Sequence, residues 1–463
     1  MPRFQSRLDL DVPLDALWRY HANPGAFERL SPPWQRVELV KKTDGIGEGQ
    51  RLVMKLGRRP FRITWEALHG PMVPLSSFED TQVRGPFSRW HHVHGFEGDT
   101  QRSTLTDTID WAPPLAPLGN VGSFIAARQI ARLFRFRHAR TRLDLAYQTR
   151  TLPMDAQHLT SSPRQPLRIA ITGSSGLVGQ ALVPYLSTAG HEVLKFVRRA
   201  PRDPGELTWD PVRNVLDPKS LDGLDAIIHL AGDSIADGRW SPQKKALIRD
   251  SRVLGTKTLI DAIARAERRP PTLISASAIG FYGLGDEVHT ERDGPGDDFL
   301  AGVCREWEDE AMRAEALGVR VVRARLGVVL DPRGGALNKL VGPFKMGLGG
   351  KVGHGRQWMS WVALDDVVYA LDYALRHKGL ASAINVVSPT PVTQSDFAKT
   401  LGRVLARPSF MPLPGFAVKA LFGEMGEALL LGGQRVLPEA LLAAGFQFAH
   451  PELEAALRMM LGR

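Results

Sequence analysis

The sequence predicts an α/β fold built on a parallel sheet, preceded by a separate α+β domain. Three observations predict it. The run Leu167-Arg-Ile-Ala-Ile-Thr-Gly-Ser-Ser-Gly-Leu-Val-Gly179 reads as a buried strand, a tight glycine turn and the start of a helix. Downstream, short apolar runs alternate with long helical segments, which implies a parallel sheet covered on both faces. Upstream, closely spaced strand-like runs lead to one long helix, as in an antiparallel sheet wrapped around it. A chain of 463 residues is also too long for one ordinary core.

In the first domain, residues 1–150, a helix is expected over 14–20. Strands are expected over 37–40, 50–56, 61–68, 76–82, 88–96 and 100–110, and a closing helix over 121–147. A curved sheet gripping a helix often leaves an apolar cavity. Within the fifth run, alternation sends His92 and His94 to one face and His91 to the other. No third ligand accompanies them in the sequence, so a structural or surface role is expected and no metal. The closing helix concentrates Arg128, Arg132, Arg135, Arg137, Arg140 and Arg142 among Phe124, Ile125, Ile130, Leu133 and Phe134. That composition suits a surface helix showing arginine to water, or one lying on anionic lipid. No base-reading motif accompanies the charge, so specific nucleic-acid binding is not expected despite a net charge of +10.

Residues 151–166 are polar and proline-containing, and read as a linker. The second domain, 167–408, then sets strands at 167–171, 192–197, 206–209, 226–231, 272–277, 320–326 and 383–387, with helices at 177–189, 241–267, 298–317 and 364–376. Residues 409–463 form a small helical end unit. In such a sheet, ligands gather beyond the carboxyl ends of the strands, where 173–179, 232–234 and 275–283 converge. Gly173 permits the turn, Gly176 lets backbone amides approach a pyrophosphate, and Gly179 lets the helix lie close to the sheet. This is an NAD(P)-binding, Rossmann-like opening. After the second strand come Arg198 and Arg199, with no acid before Asp203. Arginines there favour the extra phosphate of NADP; the alternative is a wet basic loop.

The single cysteine, Cys304, excludes an internal disulfide and any multi-thiolate zinc site. No apolar run is long enough to span a bilayer, and the first residues lack a signal-peptide core, so a cytoplasmic protein is expected.

The first domain carries His21-Ala-Asn-Pro-Gly-Ala-Phe-Glu-Arg-Leu, Ser31-Pro-Pro-Trp34, Phe78-Glu-Asp-Thr-Gln82, Gly85-Pro-Phe-Ser-Arg-Trp90 and Phe134-Arg-Phe-Arg-His138. With these segments it resembles the START-like helix-grip domain fused to some bacterial epimerase-like proteins. That resemblance implies a hydrophobic cavity for an apolar ligand, lipid or polyketide.

The second domain carries His229-Leu-Ala-Gly-Asp-Ser-Ile235, Gly238-Arg-Trp240, Lys244-Lys245, Ser251-Arg252, Ser275-Ala-Ser-Ala-Ile-Gly-Phe-Tyr-Gly283, Cys304-Arg-Glu-Trp-Glu308 and Gly355-Arg-Gln-Trp-Met-Ser-Trp361 before Asp365-Asp366. Together with Gln434-Arg-Val-Leu-Pro438 and Ala444-Gly-Phe-Gln-Phe448 in the end unit, it resembles the atypical extended short-chain dehydrogenase/reductase group of sugar-nucleotide epimerase homologues. The resemblance implies NADP held by Gly173, Ser174, Ser175, Gly176, Leu177, Val178 and Gly179, by Arg198 and Arg199, and beside Leu230, Ala231, Gly232, Ser275 and Ala276. Ordinary members of the wider superfamily use Ser, Tyr and Lys. Ser277 matches the Ser, but Leu300 and Cys304 stand where Tyr and Lys should be, and neither performs those tasks. Tyr282 is the nearest alternative acid/base, or else a loop wedge, and Cys304 a packing thiol rather than a nucleophile. Trp240, Lys244, Gln357 and Trp361 are expected to line a substrate cleft. Three functions stay open: an NADP-dependent oxidoreductase or epimerase on an alcohol, ketone or sugar-like substrate; a non-catalytic NADP-binding regulator or scaffold; and an apolar-ligand binding protein.

Overall fold

The computed structural model describes residues 2–43, 45–57, 60–113, 120–149 and 165–463. Most of the linker expected at 151–166 therefore lies outside the described residues. The chain divides into two compact units, one of Met1–Thr151 with Pro184–Gly190 and Gly462, the other of the remaining residues.

The first unit is an antiparallel sheet of β1 (Arg3–Leu10), β2 (Val37–Lys42), β3 (Arg51–Leu56), β4 (Ile63–Val73), β5 (Ser77–Arg84), β6 (Arg89–Gly98) and β7 (Ser103–Ala112), in the order β1-β7-β6-β5-β4-β3-β2. The sequence analysis assigns no strand to residues 3–10. They become one through pairing with β7, from Arg3 opposite Asp110 to Leu10 opposite Ser103, a partner a hundred residues away. Helices α1 (Leu14–Ala22), α2 (Ala26–Leu30) and α3 (Asn120–Thr149) complete the unit. Alternation is strict along β6 and β7: Trp90, His92, His94 and Phe96 are buried, as are Leu105, Asp107, Ile109 and Trp111. The apolar members pack against Phe134 and Leu145 of α3, each large side chain contributing roughly 1.5–3 kcal/mol on burial. His92, His94 and Asp107 thus form one polar cluster in an otherwise apolar face. The arginines of α3 divide as well: Arg128, Arg135 and Arg142 are exposed, whereas Arg140 is buried, 5.2 Å from the Phe136 ring centroid.

The second unit holds β8 (Arg168–Thr172), the start of α4 (Leu177–Thr188), β9 (Glu192–Val197), β10 (Glu206–Asp210), β11 (Val215–Leu216), β12 (Ala226–His229), α5 (Pro242–Arg265), β13 (Thr272–Ala278) and α6 (Phe299–Met312), then strands Arg320–Leu326 and Ala383–Val386. The sheet order is β11-β10-β9-β8-β12-β13, followed by those two strands. All pairings are parallel except β10 with β11. Strand order reverses between β8 and β12, and that reversal opens the crevice where an open α/β sheet takes its ligand. Ser241 and Asp298 cap α5 and α6, their side chains accepting from Lys244 N and Ala301 N. The helix expected over 298–317 ends at Met312, and a separate turn covers Glu315–Leu317. Helix Leu364–Arg376 is buried at every residue from 364 to 375; within it Asp366 accepts from Ala449 N and His450 N. In the end unit, helix Leu453–Leu461 packs on Phe397 and Leu401. No helix among the described residues is long and apolar enough to cross a membrane.

Candidate functional site

The glycine turn leaves β8 at Gly173, whose φ of +67° is a backbone conformation that favours glycine. A Cβ there would lie 2.7 Å from Leu230 O, and one on Gly179 would lie 2.4 Å from Gly173 O. Both contacts are with backbone, so neither position accepts a side chain without moving the turn. Gly176 donates its amide to Gly173 O at 3.0 Å and, with Ser175, is exposed to solvent. Leu177 and Val178 open α4, so the turn meets a helix N-terminus, where free amides and the helix dipole favour an anion. The Thr172 hydroxyl ties the neighbouring loop to the turn, accepting from Leu230 N (3.0 Å) and Ala231 N (3.2 Å). It therefore donates to His229 Nδ1 at 2.7 Å, and His229 Nε2 donates to Thr256. Burial pushes His229 down to about 4 and keeps it neutral in this chain of bonds. Ser275 and Ala276 are buried within β13, Ser275 opposite His229.

The two arginines after β9 are not equivalent. Arg199 makes a two-pronged bond to Glu206, at 2.7 and 2.6 Å, which with the Arg202 amide pushes the Glu206 carboxyl down to about 2. Arg198 is exposed and, among the described residues, forms no ion pair.

Beyond β13 the polar groups form one buried network. Ser277 Oγ donates to Glu308 Oε1 at 2.7 Å. Glu308, on α6, also receives Arg325 through Nε and Nη2, both at 2.8 Å, and Arg323 at 3.3 Å. Arg325 Nη1 donates to the Tyr282 hydroxyl at 2.8 Å, which donates onward to Asn385 Oδ1 at 2.7 Å. The Arg325 guanidinium also lies 3.5 Å from the Phe281 ring centroid. Burial, only partly offset by Arg325, pushes the Tyr282 phenol up to about 12. Cys304 is likewise pushed up to about 12, first by burial and then by Glu308, and stays a neutral thiol. Both Cys304 and Leu300 face Gly280, at 3.9 and 3.3 Å from where a Cβ on it would stand.

Sequence reasoning did not single out Arg252, Glu308 or Arg325, although the first two lie inside quoted motifs. Arg252 reaches from α5 to Asp233 O (3.1 Å), and a Cβ on Gly232 would come within 3.1 Å of its guanidinium carbon. Lys244 forms an ion pair with Asp233, and Trp240 packs at 5.4 Å from Phe299 while donating Nε1 to Ile235 O. These two residues share one region. Gln357 is buried, with Nε2 bonded to Val352 O and Leu430 O. Trp361 is fully buried among Phe397 and Leu401 and donates to Thr390 O, which puts its indole in a core rather than on a cleft wall.

The first unit encloses a cavity of about 1070 Å³, lined by aromatic and aliphatic side chains such as Met54, Trp65, Phe78, Phe87 and Trp90. Its polar lining includes His21, His69, Asp80, His92, His94 and Arg137. The third group that the sequence analysis does not find beside His92 and His94 is Asp80. It stands opposite His92 on the neighbouring strand, as Asp107 stands opposite His94. Burial disfavours the charged carboxylates of Asp80 and Asp107, but bonds from the imidazoles outweigh it and hold both well below the usual range. Burial, only partly offset by the bond to Leu17 O and reinforced by His94 and Arg137, pushes His21 down to about 4.

Comparison with known proteins agrees with both units. The NAD dependent epimerase/dehydratase family matches residues 169–386, the polyketide cyclase / dehydrase and lipid transport family matches 10–135, and a domain of unknown function (DUF1731) matches 413–460. The epimerase family protein MT2273 of Mycobacterium tuberculosis is 46% identical over 290 residues, covering 62% of this chain and 96% of that protein. The nucleoside-diphosphate sugar epimerase of Corynebacterium glutamicum is similar over 99% of this chain and 90% of its own, with 33% identity and a TM-score of 0.80. The human epimerase family protein SDR39U1, in a structure with NADPH, is similar over 64% of this chain and 99% of its own, with 34% identity and a TM-score of 0.59.

Proposed function

This chain belongs to the epimerase family that includes human SDR39U1, and on that premise we propose that its second unit is an NADP(H)-dependent oxidoreductase or epimerase acting on an alcohol, ketone or sugar-like small molecule. The observation that carries the reading is the glycine turn, whose backbone at Gly173 and Gly179 leaves no room for a side chain at a helix N-terminus. In this reading Gly173, Ser174, Ser175, Gly176, Leu177, Val178 and Gly179 hold the pyrophosphate, and Leu230, Ala231 and Gly232 wall the cofactor. The nicotinamide supplies hydride exchange.

The remaining roles fall to the chain itself. Arg252, beside Gly232, supplies the fixed positive charge that Cys304 lacks at the Lys position. Ser277 and Tyr282 act as positioning residues, because the hydroxyl of the first is spent on Glu308 and that of the second on Arg325 and Asn385. A phenol held near 12 is a weak proton donor at neutral pH, so the proton comes from water or from the substrate. Tyr282→Phe is then expected to keep turnover within about threefold of the parent. A loss of 10²-fold or more with unchanged NADPH affinity would instead make Tyr282 the acid.

Selectivity for NADP rests on Arg198 more than Arg199, since Arg199 is already engaged by Glu206. By calorimetry, NADPH is expected to bind more tightly than NADH, with Arg198→Ala narrowing the gap about tenfold and Arg199→Ala narrowing it less. Equal affinities in the parent would refute the preference. A substrate-dependent change in NADPH absorbance tests the enzyme reading itself; tight NADPH binding with no turnover across alcohols, ketones and nucleotide sugars would favour a regulator or scaffold.

The cavity of about 1070 Å³ supports a second reading for the first unit, as a site for an apolar ligand. Native mass spectrometry of the purified protein, with organic extraction of any bound molecule, checks it.

A further inference from the structure

We infer that Asp80, His92 and His94 form a binding site for a divalent metal ion of the zinc class in the wall of the first unit's cavity, with Asp107 supporting it from behind. The site does not depend on NADP binding by the second unit or on an apolar guest in the cavity.

The sheet builds it by register. His92 and His94 are two residues apart on β6 and share its inner face, Asp80 lies across from His92 on β5, and Asp107 lies across from His94 on β7. One ligand atom from each of Asp80, His92 and His94 falls within 4.8 Å of the other two. His92 Nδ1 lies 3.2 Å and His94 Nε2 3.7 Å from Asp80 Oδ2. A tetrahedral zinc ion with bonds of about 2.0–2.1 Å separates its ligand atoms by roughly 3.3 Å, so Asp80 stands near coordination spacing from both imidazoles.

Asp107 decides which nitrogens face that point. An ionised carboxylate accepts only, so His92 must present Nε2–H to Asp107 Oδ1 at 3.0 Å. His94 sets Nδ1 2.9 Å from the same oxygen, at an angle short of a hydrogen bond, and His138 Nε2 donates to the other oxygen at 2.8 Å. His92 Nδ1 and His94 Nε2 are thus the nitrogens nearest Asp80 Oδ2, and they can turn their lone pairs to a metal once any proton they share with Asp80 leaves. Without a metal, an imidazole proton fills the gap to Asp80; a divalent ion would take its place, since metal binding to such ligands releases protons. A carboxylate behind a ligating imidazole is the usual support of such an ion, fixing the tautomer and raising basicity.

Ligand chemistry and charge narrow the ion. Two imidazoles and one carboxylate suit zinc, iron or nickel and disfavour magnesium and calcium, which want oxygen ligands. Asp80 and Asp107 face Arg137, whose Nε has no hydrogen-bond partner and whose side chain lines the same cavity. Two carboxylates against one guanidinium leave a single negative charge, which a divalent ion turns into a single positive one. The remaining coordination positions open on the cavity, so an anionic oxygen from a guest would restore neutrality there. Three protein ligands with an open position is the pattern of a reactive zinc site, not a closed structural one.

The test is titration of chelator-stripped full-length protein with Zn²⁺ alone, and with Co²⁺ as a visible-absorbance reporter. One equivalent is expected to bind, Co²⁺ giving the intense visible bands of a four- or five-coordinate site. Asp80→Asn, at the cavity surface and gentle on folding, is expected to weaken Zn²⁺ binding at least 100-fold, and Asp107→Asn by about 10–100-fold. The His92→Gln/His94→Gln pair is expected to abolish it, with circular dichroism and unchanged NADPH affinity reporting that both units still fold. Absence of stoichiometric binding in the parent would mean that a proton alone fills the gap and would overturn the proposal. Binding that survives Asp80→Asn at parental strength would overturn it as well.

Discussion

Glu308→Ala is expected to destabilise the second unit by about 3–5 kcal/mol, read as a shift in the denaturant midpoint, because it strands Arg325 as a buried charge without its carboxylate. Glu308 and Arg325 are each 3% exposed, so water cannot replace the lost partner. Arg323 and Ser277 lose an acceptor in the same step. The penalty belongs to the orphaned charge rather than to the pair itself, so Glu308→Leu with Arg325→Met is expected to recover most of it. A Glu308→Ala cost below about 1 kcal/mol would mean that the network does not hold α6 to β13.

A bulky group at Gly176 is expected to do the opposite, removing function and sparing the fold. Gly176 is exposed, and its nearest neighbour to a new Cβ is Gly173 O at 3.3 Å, a tight but adjustable contact. Gly176→Val should therefore weaken NADPH and NADH alike by at least 100-fold, about 2.7 kcal/mol, while the cofactor-free melting temperature moves by a few degrees at most. At Gly179 even Ala meets Gly173 O at 2.4 Å and Ser174 Cα at 2.6 Å, so Gly179→Ala should lower stability as well as affinity. If Gly176→Val binds NADPH like the parent, the turn is not where the pyrophosphate sits.

The contrast between those positions marks what a sequence can disclose. Glycines spaced between a strand and a helix announce their purpose locally, because the turn that requires them is local, and helix Leu364–Arg376 has the bounds expected of it. Partners set by tertiary contact give no such sign. Asp80 sits twelve residues before His92, and only the β5–β6 register puts them face to face. Glu308 and Arg325 look like surface charges until α6 is laid on the sheet. Strand β1 was hidden for the same reason: its partner β7 lies far along the chain. Arg199 shows the converse limit, since the residue type was legible but its capture by Glu206 was not.

The helix buried at every residue from 364 to 375 has a consequence for how the protein breathes. No face of it can peel into solvent, so its amide hydrogens have no local route of escape and exchange with deuterium only when the whole second unit opens. Isotope uptake at those positions counts complete unfolding events. Substitutions elsewhere in the unit alter that count only through the stability they add or remove, which makes this one segment a built-in gauge of the free energy of the fold around it.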